Sequence, residues 1–379
     1  MTVYFDNAAT TRVRPEAVTK MTEVMTEQYG NPSSTHFLGR QAKELLETSR
    51  HEIASVIGAK PEEIFFTSGG TEADNLAIFG AAGAMRHRGN HIVTTMIEHD
   101  AVLRPFEQLQ ESGWDVSYVR PDEGGRISPD DIIAAMRDDT VLVSVMLVNN
   151  ETGVQNDISQ ISDEIEKMNR PVIFHTDAAQ ALCKLPFKVK ELGVDLLSLS
   201  GHKIHAPQGV GALYVKSGVK LSPTLFGGSQ EGGLRAGTEA LPAIAAFGVS
   251  AKLGYSEMSD KNEKVKAVRE GIVSSLRERI PEAVIIGEDT IPHILSISLP
   301  GYKSEVLMNY MEAEGICVSK SSACKKGKRS HVLEAMGLKN EVIDGAIRLS
   351  FSGDNTESEA EYFIEKLFEA KTRLYKTLK

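Results

Sequence analysis

The chain has 379 residues, more than one hydrophobic core usually organises, so a single small module is excluded and a two-part subunit or two domains is expected. Apolar residues make up 41% and charged residues 25%, which excludes disorder as the main state. The 42 basic and 52 acidic residues leave a net charge of −10, which argues against a global nucleic-acid or anionic-membrane surface.

In chain order, Pro15 to Gln28 reads as a helix with proline in its first turn and Gly30 beyond its end. Gly39 to Ile57 carries helical apolar spacing through Leu45, Leu46, Ile53 and Ile57. Seven short apolar runs follow: 64–66, 91–95, 116–119, 141–148, 172–175, 196–199 and 210–215. Helical stretches at 71–88, 102–112, 129–136 and 158–168 separate most of them. Strand–helix alternation with strands apolar on both faces predicts an α/β fold with a mostly parallel seven-stranded sheet, covered on both sides.

Past Ser217 the rhythm changes. A glycine-rich stretch runs from Gly227 to Gly237, and a long polar helix is expected over 260–279. Short strands are expected at 283–286, 294–299 and 347–350, helices at 303–314 and 330–336, and a terminal helix from Thr356. This pattern predicts a smaller α+β domain. Residues 15–250 are assigned to the large domain, and 251–379, joined by 1–14, to the small one.

No run approaches the roughly 18 apolar residues of a membrane-spanning helix. The segment Met1 to Asp6 lacks a charged region followed by an apolar stretch, so no signal peptide is expected. Cys183, Cys317 and Cys324 form no C-x-x-C pair, and a reducing cytoplasmic setting is expected.

Four segments carry possible chemistry. Thr67-Ser68-Gly69-Gly70-Thr71-Glu72 lies between a strand and a helix, where backbone N–H groups and the helix N-terminus favour an anion; a tight connection uses glycine as well. It is neither a P-loop nor a G-x-G-x-x-G fingerprint. Asp177-Ala178-Ala179-Gln180 and Ser200-Gly201-His202-Lys203 each follow an apolar strand, and ligands of open α/β sheets sit beyond strand C-termini. Taken singly, Asp177 reads as a helix cap and Lys203 as a solvated lysine.

His99, after Glu98, could stack on a flat ligand or move protons, or be a hydrogen-bonded structural residue. No H-E-x-x-H is present, and His202 and His205 lack neighbouring ligands, so no metal site is expected. Cys324 stands among small residues, and four of the next five, Lys325, Lys326, Lys328 and Arg329, are cationic. Positive charge favours the nucleophilic thiolate. The plainer alternative is a surface thiol in a solubilising loop. Cys183 and Cys317 sit in apolar sequence and read as buried.

Together these segments resemble the cysteine desulfurases, pyridoxal-phosphate enzymes of the class V aminotransferase fold. The match runs from Tyr4-Phe5-Asp6-Asn7-Ala8-Ala9-Thr10-Thr11 to Arg348-Leu349-Ser350. Between them stand, in family order, Gly30-Asn31-Pro32-Ser33-Ser34, Phe66 to Asn75, Glu98-His99 and Asn149-Asn150-Glu151-Thr152-Gly153. His175 to Gln180, Ser200 to Lys203, Arg235-Ala236-Gly237-Thr238 and Ser322-Ala323-Cys324 complete the set. The resemblance implies a fold-type-I pyridoxal-phosphate-dependent transferase in which Lys203 holds the cofactor as a Schiff base. It places Asp177 at the pyridinium nitrogen, and Gln180, with Asn150 nearby, at the phenolic oxygen. His99 would stack on the ring and transfer protons, and Gly70, Thr71, Ser200 and His202 would hold the phosphate.

Thr238 would reach the phosphate of a second subunit, implying a homodimer, and Arg348 would clamp the substrate carboxylate. The reaction implied converts L-cysteine to L-alanine and leaves the sulfur as a persulfide on Cys324, the catalytic nucleophile. Two features depart from the family. Gly232 follows Glu231 where an arginine is usual, and the loop after Cys324 is shorter than in long-loop housekeeping members and more basic. The sulfur acceptor is left open between an iron–sulfur scaffold and a thiolation enzyme. A selenocysteine lyase or other class V transferase would not need Cys324. A non-catalytic partner protein would not need Lys203, Asp177 and Cys324 together.

Overall fold

The apolar runs become one sheet because their side chains are wanted on both of its faces. In the structure, a computed structural model that describes residues 2–320 and 329–374, β1 (Val3–Tyr4), α1 (Pro15–Thr26) and α2 (Phe37–Ile57) come first. Alternation then begins: β2 (Ile64–Thr67), α3 (Gly70–Met85), β3 (His91–Thr95), α4 (Asp100–Glu111), β4 (Asp115–Val119) and α5 (Pro129–Ala135). It continues through β5 (Thr140–Ser144), α6 (Ile158–Lys167), β6 (Ile173–Asp177), α7 (Val189–Leu192), β7 (Leu196–Ser200) and β8 (Gly211–Val215).

The seven strands β2 to β8 pair in the order β2-β8-β7-β6-β5-β3-β4. Neighbours from β7 to β4 run parallel, and β8 is antiparallel to both β2 and β7. Successive residues face opposite layers, as the pleat requires. Ile92, Leu142, Ile173 and Leu196 pack with Leu76 of α3 and Phe106 of α4. Their neighbours Val93, Val143, Phe174 and Leu197 pack on the other side with Ile53 of α2, Ile161 of α6 and Phe247. The apolar run 141–148 leaves the regular ladder at Ser144, earlier than its sequence predicts. Past it, the Val145 and Leu147 N–H groups still bond the His175 and Asp177 carbonyls before the chain turns at Asn149.

Phe247 belongs to α8 (Leu241–Ser256), a helix that sequence periodicity does not reveal. Its residues Leu241, Ala243 to Gly248, Ser250 and Ala251 are buried, so it is apolar nearly all round and has no contrasting face. It lies against α1 and α2. Gly248 permits the approach, since a Cβ there would stand 3.1 Å from Ser49 Cα.

Most of the remaining elements build a second core. The elements are α9 (Met258–Arg279), β9 (Val284–Ile286), β10 (Ile294–Ser298), α10 (Ser304–Ala313), β11 (Ile316–Cys317) and β12 (Ser319–Lys320). α11 (His331–Ala335), α12 (Asn340–Asp344), β13 (Ala346–Ser350) and α13 (Glu357–Arg373) complete the chain. Val332 and Leu333 of α11 and Ile343 of α12 pack into the first core. β12-β13-β10-β9 form an antiparallel sheet. Val265, Val268, Ile272 and Leu276 of α9 and Phe363 and Leu367 of α13 pack in this second core with Ile297 and Leu349. α13 starts at a capping box in which Thr356 and Glu359 satisfy each other's backbone N–H groups. β1 pairs in parallel with β11, and the Phe5 ring meets Phe351 edge-on at 5.1 Å. The expected division at 250/251 falls inside α8, and α9 begins two residues after that helix ends. Among the described residues, no helix is long and apolar enough to cross a membrane.

Gly248→Leu should force α8 away from α2 and destabilise the fold by about 1–3 kcal/mol, as overpacking does. Denaturant unfolding of the variant against the parent chain measures this.

Candidate active site

Strand ends set the site. Asp177 is the last residue of β6, and Ser200 the last of β7, their neighbour in the sheet. Both line a cavity of about 680 Å³ that also takes in Gly70, Thr71, His99, Asn150, Gln180, His202, Lys203 and Arg348. Ten of the twelve residues singled out from sequence thus meet in one place, Ser200 and Asp177 included. Thr238 does not; it is exposed and forms no part of this wall. Cys324 lies outside the described residues, as do Lys325, Lys326 and Lys328.

One wall is the N-terminus of α3. Its cap, Gly69, has no side chain to offer, and the N–H groups of a first helical turn have no acceptor inside the helix. A Cβ on Gly70 would stand 3.3 Å from Ser200 Cβ, so the glycine lets the Ser200 side chain come close to this positive helix end. His202 Nδ1 lies 3.2 Å from Thr10 Oγ1. Burial, with Lys203 and Lys184 nearby, pushes its pKa down to about 4, so the ring is neutral. These groups suit a phosphate: they are donors, and Glu72, the acid of this first turn, is paired with Arg235.

The floor is acidic. Asp177 is buried, and its Oδ1 accepts the Ala179 N–H at 2.8 Å. Burial raises its pKa, while the charges of His99 and Lys203 pull it down. Asp74 and Glu98 are buried beside it. Burial pushes Glu98 up from 4.5 to about 8, and Asp74 well above its ordinary range. Among the described residues, Asp74 Oδ1 and Glu98 Oε2 have no hydrogen-bond partner, and no cationic side chain pairs with Asp177. A ring N–H donating to Asp177 would fit this floor, and pyridoxal phosphate would bring one together with its phosphate.

Lys203 follows β7 by one short turn and donates to the Ala8 and Ala9 carbonyls at 2.6 and 2.7 Å. Gln180 Nε2 donates to the same Ala8 carbonyl at 3.0 Å. His99 caps α4, its Nδ1 accepting the Ala101 N–H at 3.1 Å, which leaves Nε2 to carry a ring proton. Arg348 is 2% exposed. It donates to the Asn150 carbonyl at 2.9 Å and to Asp6 at 2.8 Å, and among the described residues its buried Nε has no partner. Two of its nitrogens are thus braced by protein.

Beyond the site residues expected from sequence, the cavity wall includes Glu151 and His331, together with Arg329 of the basic run after Cys324. Glu151, buried, accepts the Ser330 hydroxyl; burial raises its pKa to about 7, offset by Ser330 and Arg348. Arg329 pairs with Asp344 at 2.7 and 2.8 Å, and His331 Nε2 lies 3.0 Å from the Glu98 carbonyl. Glu151 stands inside the motif Asn149 to Gly153, which was its only signal; His331 had none. No metal-ligand cluster occurs among the described residues.

The class-V aminotransferase family model matches residues 3–363. The chain belongs to the class-V aminotransferase family. A cysteine desulfurase IscS of Methanosarcina thermophila is 42% identical over 96% of this chain and 90% of its own length. A putative cysteine desulfurase IscS 1 of Bacillus subtilis (strain 168) is 43% identical, over 93% of this chain and 94% of its own. The solved structure of a NifS-like protein superposes with a TM-score of 0.93 at 37% identity, covering 99% of this chain and all of that one.

The raised carboxyls give a pH signature. Between 4.5 and about 8 the folded chain keeps a proton on Glu98 that the unfolded chain has lost. Stability should therefore fall as pH rises through this window. Glu98→Gln should flatten that part of the profile, read as melting temperature against pH; an unaltered slope would contradict the assignment.

Proposed function

We propose that the chain is a pyridoxal-phosphate-dependent cysteine desulfurase, converting L-cysteine to L-alanine and passing the sulfur on through a persulfide on Cys324. One observation carries this reading. A lysine amine, a buried carboxylate and the open N-terminus of a helix share one cavity, in a chain about 40% identical along its length to proteins named for that activity.

Lys203 would hold the cofactor covalently, Asp177 its ring nitrogen, and Gly70, Thr71, Ser200 and His202 its phosphate. Gln180 and Asn150 would face its phenolic oxygen. When bound, pyridoxal phosphate supplies a carbonyl that captures amines and an electron sink for charge left at a substrate Cα. His99 lies over this cavity with Nε2 available to move a proton, and Arg348, braced by Asp6 and the Asn150 carbonyl, would bind the substrate carboxylate. Cys324, as its thiolate, would attack the substrate sulfur: the S–S bond forms, the substrate Cβ–S bond breaks, and the electron pair of that bond stays with the three-carbon product until protonation gives alanine.

A homodimer in which Thr238 reaches the phosphate of the other copy agrees with its exposure outside its own cavity. An iron–sulfur scaffold or a thiolation enzyme in the cytoplasm would take the sulfur.

Lys203→Ala should lose turnover and covalent cofactor together, read as alanine and sulfide from cysteine and as a borohydride-fixed adduct. An adduct on another lysine would overturn the role of Lys203. Cys324→Ser should still bind cofactor and cysteine but lose most sulfide release, because serine forms no persulfide. Sulfide release at the parent rate by this variant would favour a lyase that works without Cys324.

A further inference from the structure

Lys184 has no part in the chemistry above, yet it is 7% exposed and lies in the apolar run Ala181-Leu182-Cys183-Lys184-Leu185. Its ammonium group donates to Gln180 Oε1 at 2.9 Å, and among the described residues no carboxylate pairs with it. Burial, with the charges of Lys203 and Arg348, pushes its pKa down to about 7. A buried ammonium without a counter-charge is destabilising, and a methionine of similar length would fill the same space.

What it touches explains its presence. Gln180 lines the cavity and Lys184 does not. A primary amide presents much the same shape when turned over, with nitrogen and oxygen exchanged. Turned over, Gln180 would set its oxygen against the Ala8 carbonyl and its NH2 against the Lys184 ammonium. Acceptor would face acceptor and donor would face donor. In the observed orientation both contacts are hydrogen bonds, at 3.0 and 2.9 Å. The amide has two protons; Ala8 takes one, and the other is available to a ligand.

We infer that Lys184 is a positioning residue, fixing the Gln180 amide so that it offers the cavity an N–H donor for an anionic oxygen of the bound cofactor. This rests on the pyridoxal-phosphate reading above. An N–H there favours the ionised oxygen; a carbonyl in its place would repel it and favour the protonated form. Lysine is suited to the task because an ammonium can only donate.

The test uses the full chain loaded with pyridoxal phosphate, in three forms: parent, Lys184→Met, which removes donor and charge, and Lys184→Gln, which keeps an N–H donor without charge. The readouts are the pH midpoint of the cofactor's visible absorption change, the affinity for pyridoxal phosphate, and the melting temperature. Lys203, Arg348 and Cys183 bear on Lys184, and His202 and His293 feel its charge, so all three chains are titrated over the same range. Lys184→Met should raise the midpoint by about one unit and weaken cofactor binding about tenfold. Its melting temperature should not fall, since a buried charge has been removed. Lys184→Gln should stay close to the parent. Lys184→Ala takes the place of Lys184→Met if that variant does not fold. A parent-like midpoint in the variant without a donor overturns the inference. So do equal shifts in Lys184→Met and Lys184→Gln, which would assign the effect to charge alone. A parent chain that takes up no pyridoxal phosphate and shows no visible band overturns the cofactor reading itself, and this inference with it.

Discussion

β6 and β7 are neighbouring parallel strands, buried along their whole length, that end on Asp177 and Ser200. Strands covered on both faces have little room for unpaired polar groups until they stop, so chemistry is pushed to their ends. Lys203 follows one short turn later, and the antiparallel return of β8 brings Gly211 against Gly69 at the start of α3. The helix N-terminus, the carboxylate and the amine are therefore fixed by one sheet, and no long loop is needed to gather them.

The third wall comes from the start of the chain. Ala8 and Ala9 accept from Lys203, Thr11 donates to the His202 carbonyl, and Asp6 holds Arg348. The same segment belongs to the second core through Val3 and Phe5. A shift between the two cores would thus be felt at Lys203 and Arg348 together. Burial moves the titratable groups of this junction toward their uncharged forms: it raises Asp74, Glu98 and Asp177 and lowers Lys184, while His175, driven down to about 3, stays neutral.

Sequence showed most of this where a local rule was strong. Pro15, the apolar strands and the Thr356 cap each announce an element by local chemistry. α8 escaped because a helix buried on nearly every side shows no 3.6-residue contrast. β1, β11 and β12 are two-residue strands that exist only through their partners, so their own sequence holds no period. At the site, the motifs supplied the groups that touch a ligand. They did not supply Lys184 or His331, whose positions depend on residues distant in sequence or on burial; a lysine inside an apolar run was the one visible sign of the former.

The glycine-rich loop shows how a segment facing outward can still be tied to its own chain. Glu231, buried and at a positive φ of 45°, accepts two hydrogen bonds from Arg50, at 2.8 Å each, and the Phe66 N–H at 2.8 Å. Arg235 pairs with Glu72 at 2.7 Å. Gly232, also at positive φ, continues the turn where a larger residue would be strained. Removing one partner of such a buried pair typically costs about 3–5 kcal/mol, because the other charge is left uncompensated. Thr238 therefore lies in a loop already held by its own chain, which also carries Phe226, 82% exposed. For the proposed dimer this matters energetically. Ordering a loop at the moment of association subtracts from affinity, whereas a loop fixed beforehand brings its hydroxyl to the second subunit without that loss.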